Sequence, residues 1–301
     1  MTILKHVRGV LLTAIFSTTI ILVTAPIVVL ALLKLLTPVP AWRQAFNPWL
    51  DGIADCWIRV NNWQQAKLLP AHLVIEGDVH LRRDEWYMLV ANHQSWVDIL
   101  VLVRVFGIDI PGVKFFFKQS LLWIPILGLA LWGLDFPHMR RYSREQIARD
   151  PSLKDKDRAR ARKACERFRH HPVTIINFME GTRFTPAKHA AQQSPYRHLL
   201  MPRAGGIAST LSAMNGQLHQ LLDVTIAYPS GIPTYWEYVC GDVKEIRVHR
   251  RQLPIGDELL GNYDKDETYR VNFQQWVNRL WQTKDDRLDK MLQQGVSTSL
   301  K

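Results

Sequence analysis

Trp86-Tyr87-Met88-Leu89-Val90-Ala91-Asn92-His93-Gln94-Ser95-Trp96-Val97-Asp98 is the stretch that decides how this chain reads. Its first six residues form a short apolar run, which predicts a buried strand. Where the run stops stands His93, with a carboxylate, Asp98, five positions on. A histidine and an acid so placed make a compact general-base unit. The imidazole takes a proton near neutral pH; the carboxylate fixes its tautomer and stabilises the charge that forms. Ser95 and Asp98 also fit the spacing of a capping box, so Asp98 has a structural role open to it at a helix start. The two roles are compatible, because the helix dipole keeps a first-turn acid ionised. A helix running from His93 itself would turn the two side chains about 140° apart at ~100° per residue, so His93 belongs to the loop before the helix. With 11 histidines in the chain, the pattern alone is weak, and its structural context must give it weight.

Working outward, residues 72–77, 113–118, 173–178, 224–228 and 245–249 also read as strands. A charged stretch lies between them at roughly 154–168, and a periodic one follows them at 263–292. The first is rich in arginine and reads either as a solvated helix face or as a basic strip on anionic lipid. The second reads as an exposed polar helix with Phe273, Trp276 and Leu280 on one stripe. Residues 120–134 are uncharged but too short to span a bilayer, and Pro125, Gly128 and Gly133 interrupt them. Strands alternating with helices predict an α/β domain. In such a sheet ligands gather at the carboxyl ends of strands. The strand at 173–178 ends in Met179-Glu180-Gly181-Thr182-Arg183, so His93, Asp98, Glu180 and Arg183 are expected to share one cleft. Gly181 permits a tight turn, and the planar fork of Arg183 suits a phosphate. A structural ion pair between Glu180 and Arg183 is the plainer alternative.

The chain has 301 residues, 47% of them apolar, enough for a substantial core. Its formal net charge of +11 calls for an anionic partner: lipid headgroups, a phosphorylated substrate or nucleic acid. Cys56, Cys165 and Cys240 are far apart and lack metal-ligand spacing, so reduced thiols are expected, without disulfides or a zinc site. No side chain from Val10 to Leu33 is charged. As a helix this run is about 36 Å long at ~1.5 Å per residue, against a bilayer core of ~30 Å. An uncleaved membrane anchor is expected, with residues 1–65 as anchor and 66–301 as the globular domain. Trp42, Trp49, Trp57 and Trp63 follow among basic residues. They suit either a helix lying in the membrane interface, making a hairpin with the first, or packing on the soluble domain.

The order of blocks resembles the glycerolipid acyltransferase family, the lysophosphatidic-acid acyltransferases and their relatives. Asn92 to Asp98 is similar to that family's His-x4-Asp block. Lys118, Leu121, Pro125 and Gly128 have the spacing of its second block. Phe178-Met-Glu180-Gly181-Thr182-Arg183 resembles its Glu-Gly-Thr-Arg block, and Leu222 to Pro229 resembles its final apolar strand and proline. Met179 stands where many members have proline, and Arg203-Ala204-Gly205 where many have Lys-x-Gly. Phe178 to Thr185 is closer to the lysocardiolipin-type branch, which bears on the acceptor rather than on the reaction.

The resemblance implies a single acyltransferase domain with a mixed sheet flanked by helices, preceded by the anchor. His93 would be general base on the sn-2 hydroxyl of lysophosphatidic acid, giving phosphatidic acid, with Asp98 orienting it. Lys118, Glu180, Gly181, Thr182 and Arg183 would bind the acceptor. The donor substrate would be acyl-CoA or acyl carrier protein, with no bound cofactor and no metal. The enzyme would sit at the inner (cytoplasmic) membrane, its catalytic domain facing the cytoplasm. Lysocardiolipin or lysophosphatidylglycerol is the alternative acceptor. A basic, membrane-tethered binding protein is the reading from another class; no nucleic-acid motif supports it.

Overall fold

The computed structural model describes residues 2–124, 126–139, 149–150, 152–153, 156, 159, 163, 165–169 and 171–298. Among them, six strands form one mixed sheet. They are β1 (His72–Glu76), β2 (Tyr87–Ala91), β3 (Val113–Lys114), β6 (Thr174–Phe178), β7 (Gln220–Ala227) and β8 (Glu245–Pro254), in the order β1-β8-β7-β2-β6-β3. Every neighbouring pair is parallel except β7 and β8, which are antiparallel. The carboxyl ends of β2, β6 and β7 therefore open on the same edge. Register fixes this closely: Ala91 pairs with Phe178 on one side and with Val224 on the other.

Strand β2 lies near the middle, and all five of its residues are fully buried. A parallel strand covered on both faces has no need of polar alternation, hence the unbroken apolar run. Its side chains still divide by period two. Met88 and Val90 enter one core with Ile175, Ile207, Leu211, Phe273 and Trp281. Tyr87, Leu89 and Ala91 enter the other with Val101, Phe106, Tyr238 and Val239. Each Val, Leu, Ile, Phe or Met side chain so buried contributes about 1.5–3 kcal/mol relative to leaving it in water.

Helix α1 (Thr2–Leu36) is long and apolar enough to cross a membrane. It is followed by α2 (Pro40–Gln44) and α3 (Asn47–Leu68). Yet α1 does not stand away from the globular body. Near its start Lys5 pairs with Asp242 at 3.1 Å, and the Arg8 guanidinium donates to the Leu68 carbonyl. Leu12 and Phe16 join the core on the Tyr87 side. At the other end Ala31 is packed so closely on Gly133 that a Cβ there would lie 2.5 Å from the alanine Cβ. The buried Lys34 ammonium holds Asp135 at 2.8 Å and the Gly133 carbonyl at 3.0 Å. The opposite face exposes Ile3, Leu4, Val10, Leu11, Ile21, Leu22 and Leu36. Trp42, Trp49 and Trp63 are exposed as well, so these three tryptophans do not serve as core packing.

Several expected elements differ from what is found. Residues 113–118 are not one strand: β3 ends at Lys114, and Phe117–Lys118 forms β4, paired with β5 (His138–Met139) in a separate small sheet. The strand expected at 245–249 runs on to Pro254, because β7 pairs with it along its whole length. The uncharged stretch 120–134 becomes a 3-10 turn (Gln119–Trp123) and α5 (Leu127–Gly133), the latter packed against α1. The C-terminal stretch is α9 (Glu267–Thr298) and is not an exposed polar helix. It buries Phe273, Val277, Leu280, Trp281, Leu288 and Met291, and with them Lys284 and Asp285. Most of the arginine-rich stretch at 154–168 lies outside the described residues.

Candidate active site

The site is assembled where β2, β6 and β7 end. Beyond β2, the Asn92 side chain takes over from the ladder. Its Nδ2 donates to the Ile226 carbonyl and its Oδ1 accepts from the Ile226 N–H, both at 2.9 Å. A side-chain amide thus pairs like one more strand residue, and it ties the following loop to β7. His93 comes next in that loop. Its N–H donates to Glu180 Oε1 at 2.9 Å, and its carbonyl accepts from the Phe184 N–H at 2.7 Å. The imidazole stacks on the Phe178 ring at 4.1 Å. Its Nδ1 lies 2.9 Å from Asp98 Oδ2. Because a carboxylate only accepts, Nδ1 carries the proton, and Nε2 is the nitrogen left to take one.

Helix α4 (Val97–Phe106) carries Asp98 in its first turn. The carboxylate is fully buried. Besides the imidazole, Oδ2 accepts from the N–H groups of Gln94 at 2.6 Å and Ser95 at 2.8 Å. Oδ1 accepts from the Tyr228 hydroxyl at 2.6 Å. Asp98 therefore makes both contacts expected of it, one to the imidazole and one to the backbone at the helix start. The reach back to the Ser95 N–H is half of a capping box. The other half is replaced: Ser95 Oγ donates to the Pro233 carbonyl at 2.5 Å and accepts from the Val97 N–H at 3.1 Å.

Beyond β6 the chain reverses at Gly181, whose φ is +68°, a conformation that costs an L side chain energy. A Cβ there would also lie 3.2 Å from the Arg203 side chain. Glu180 is fully buried in this turn. It does not form the ion pair with Arg183 that its sequence allowed. Its second oxygen, Oε2, accepts from the Leu200 N–H at 3.2 Å, so both oxygens serve backbone amides. Burial pushes its pKa up to about 8, against the opposing effect of those two bonds. Arg183 turns outward, its guanidinium 4.8 Å from the centre of the Trp96 ring.

Sequence reasoning missed three members of this constellation. Lys188 donates to Thr182 Oγ1 at 2.7 Å and to the Arg183 carbonyl at 2.9 Å, adding a cation beside the Gly181 turn. Its position follows from α6 (Pro186–Gln192), which Thr185 caps by accepting from the Lys188 N–H at 3.2 Å. Arg203, at the start of α7 (Ala204–Met214), adds another cation over the same turn. Tyr228 is the third. Lys118 ends β4, and its side chain lies outside the described part of the structure. Among the described residues no group of three His, Cys, Asp or Glu is placed to hold a metal ion.

The mixed sheet thus places a histidine-aspartate pair and a cationic turn at neighbouring strand ends. The profile of the Acyltransferase family matches residues 72–229, more than half of the chain. The chain belongs to that family. It is 25% identical over 253 residues to the probable 1-acyl-sn-glycerol-3-phosphate acyltransferase 5 of Arabidopsis thaliana, covering 79% of this chain and 62% of that relative. To lysocardiolipin acyltransferase 1 of Gallus gallus it is 23% identical over 273 residues, covering 85% of this chain and 66% of the relative. The chain thus spans a little under two thirds of the length of these relatives. In fold it resembles the crystal structure of the 1-acyl-sn-glycerophosphate (LPA) acyltransferase PlsC of Thermotoga maritima. The TM-score is 0.53 at 17% identity, with 95% of this chain and 98% of that one covered.

Proposed function

We propose that the protein transfers a fatty acyl group from an acyl thioester to the free sn-2 hydroxyl of lysophosphatidic acid, giving phosphatidic acid. The observation that carries this reading is the His93 Nδ1 to Asp98 Oδ2 contact of 2.9 Å, beside a turn ringed by Arg183, Lys188 and Arg203. His93 Nε2 takes the hydroxyl proton as the acceptor oxygen attacks the thioester carbonyl. The new C–O bond forms, the C–S bond breaks, and the imidazolium returns its proton to the leaving thiolate. Asp98 stabilises the imidazolium without itself taking the proton. Both phosphate charges of the acceptor need cations: Arg183 offers the fork, with Lys188 and Arg203 near it and Lys118 as a further candidate. Glu180 holds the His93 backbone rather than the phosphate.

The outward apolar face of α1 and the exposed tryptophans support attachment to a bilayer, where acceptor and product both reside. A soluble acyl-CoA or acyl carrier protein donor fits a catalytic domain that faces the cytoplasm, and the inner (cytoplasmic) membrane is the placement we propose. The similarity to a lysocardiolipin acyltransferase keeps a second acceptor class in view.

The test is acyl transfer from labelled acyl-CoA by the detergent-purified protein. Lysophosphatidic acid is offered beside lysophosphatidylglycerol and lysocardiolipin, with His93→Ala as the control. Transfer to lysophosphatidic acid that falls by about a thousandfold or more in the variant is the expected result. Transfer to the other lipids alone moves the enzyme to lipid remodelling. Full activity in the variant removes His93 from the chemistry.

A further inference from the structure

We propose that Tyr228 is a positioning residue of the His93–Asp98 pair, holding the buried carboxylate in the one rotation that presents Oδ2 to the imidazole. The proposal rests on the acyl-transfer reading above and deepens it.

The two oxygens of Asp98 are held from different places. Oδ2 serves His93 Nδ1 and the N–H groups of Gln94 and Ser95, all of them in the loop just before Asp98. If that loop shifts, these three donors shift with it. Oδ1 is bonded from outside the loop, by a phenol 130 positions further along the chain at 2.6 Å. Tyr228 immediately follows β7, and the Asn92 side chain has already joined β7 to the same loop at Ile226. The phenol and the loop therefore share one rigid frame. Tyr228 is 2% exposed and Asp98 0%. An unbonded oxygen in a site this dry would bear its full desolvation cost, because water cannot replace the lost donor.

The donor is also a constant one. Burial, with the Asp98 charge beside it, pushes the Tyr228 phenol well above its ordinary range, so it keeps its proton. A hydrogen bond to an ionised oxygen is about twice as strong as one between neutral groups. The other titratable groups around the pair are Glu180 of the β6 turn, with Lys284 of α9 beyond it, and Tyr238 of α8 (Tyr235–Cys240), with Arg104 of α4 near it. None of these is bonded to Oδ1. A residue that merely filled the core between β7, α4 and α8 would act through its ring alone.

Tyr228→Phe separates the two roles, since it keeps the ring and removes the hydroxyl. The variant is expected to lower kcat about ten- to a hundredfold while KM for donor and acceptor changes by less than about twofold. A less stabilised carboxylate makes the pair take up its proton sooner as pH falls. The acid limb of kcat/KM should therefore move up by about one pH unit. The same displacement should appear in the titration of His93, followed by histidine NMR on the substrate-free protein. An unchanged titration in folded Y228F overturns the proposal. Should Y228F fail to fold, 3-fluorotyrosine placed at position 228 supplies a stronger donor, and His93 should then titrate at lower pH; no displacement overturns the proposal equally. If wild-type protein acylates no lysolipid, the acyl-transfer reading fails, while the NMR comparison still decides the role of Tyr228.

Discussion

Glu180 accepts two backbone N–H bonds and faces no water, and this sets a pH dependence of its own. Its folded pKa of about 8 lies above the ordinary 4.5. Between those values the folded chain keeps a proton that the unfolded chain has released. Stability is therefore complete below about 4.5 and is lost as pH rises towards 8. Glu180→Gln should abolish that slope. It should also leave one of the two N–H groups without an acceptor, at a cost of about 1–3 kcal/mol. Thermal melts from pH 5 to 8 check this: the variant should melt lower at pH 5, with the gap narrowing towards pH 8. The residues of the site were unequally legible. His93 lies in the loop and Asp98 in the first turn of the helix that follows it, five positions on, so spacing alone brought them together. Glu180 carried a charge that suggested an ion pair, yet backbone amides reached it first, and their positions depend on tertiary structure. Tyr228 follows directly on β7, where nothing in the sequence distinguishes a buried hydroxyl from an ordinary core aromatic.

At the scale of the element, strands with apolar runs or clear alternation were readable, and the polar second half of β8 was not. The second half of β8 contains Arg250, Arg251 and Gln252, which look like a solvated loop. It is a strand because β7 supplies its ladder and Asp223 pairs with Arg251 at 2.7 Å. Helix α9 misled for the same reason. Lys284 is fully buried, 2.5 Å from Asp223 Oδ1, and donates to the Val224 carbonyl at 2.5 Å. Burial lowers its pKa while Asp223 opposes that shift, which marks an ammonium held dry by its partner. Removing one member of a buried pair leaves the other uncompensated. Lys284→Ala should therefore cost about 3 kcal/mol, the low end for such pairs, because Arg251 still faces Asp223. The urea midpoint of unfolding measures it. A variant as stable as the parent would mean that the pair only offsets its own desolvation.

For the whole molecule, the path of α1 matters most. A helix of 35 residues is about 52 Å long, more than a bilayer core requires. Both its ends are fastened to the same body, at Asp242 and at Asp135. Such a helix is expected to lie along the membrane surface with its apolar face turned into lipid, rather than to cross from one side to the other. Cysteine pairs test this in native membranes: Lys5→Cys with Asp242→Cys, and Lys34→Cys with Asp135→Cys. Both pairs should cross-link, and failure of the first alone would mean that the helix leaves the body and spans. The sequence showed the length and apolarity of α1 but not its attachment, which depends on contacts more than a hundred residues away in the chain. A different long-range dependence runs through Trp281. Its indole N–H holds the Leu200 carbonyl, and the Leu200 N–H holds Glu180, which in turn holds His93. During synthesis the apolar helix and the sequence motifs emerge from the ribosome before α9. A chain still in synthesis can reach the lipid surface before the support behind its histidine exists, so anchoring comes before competence.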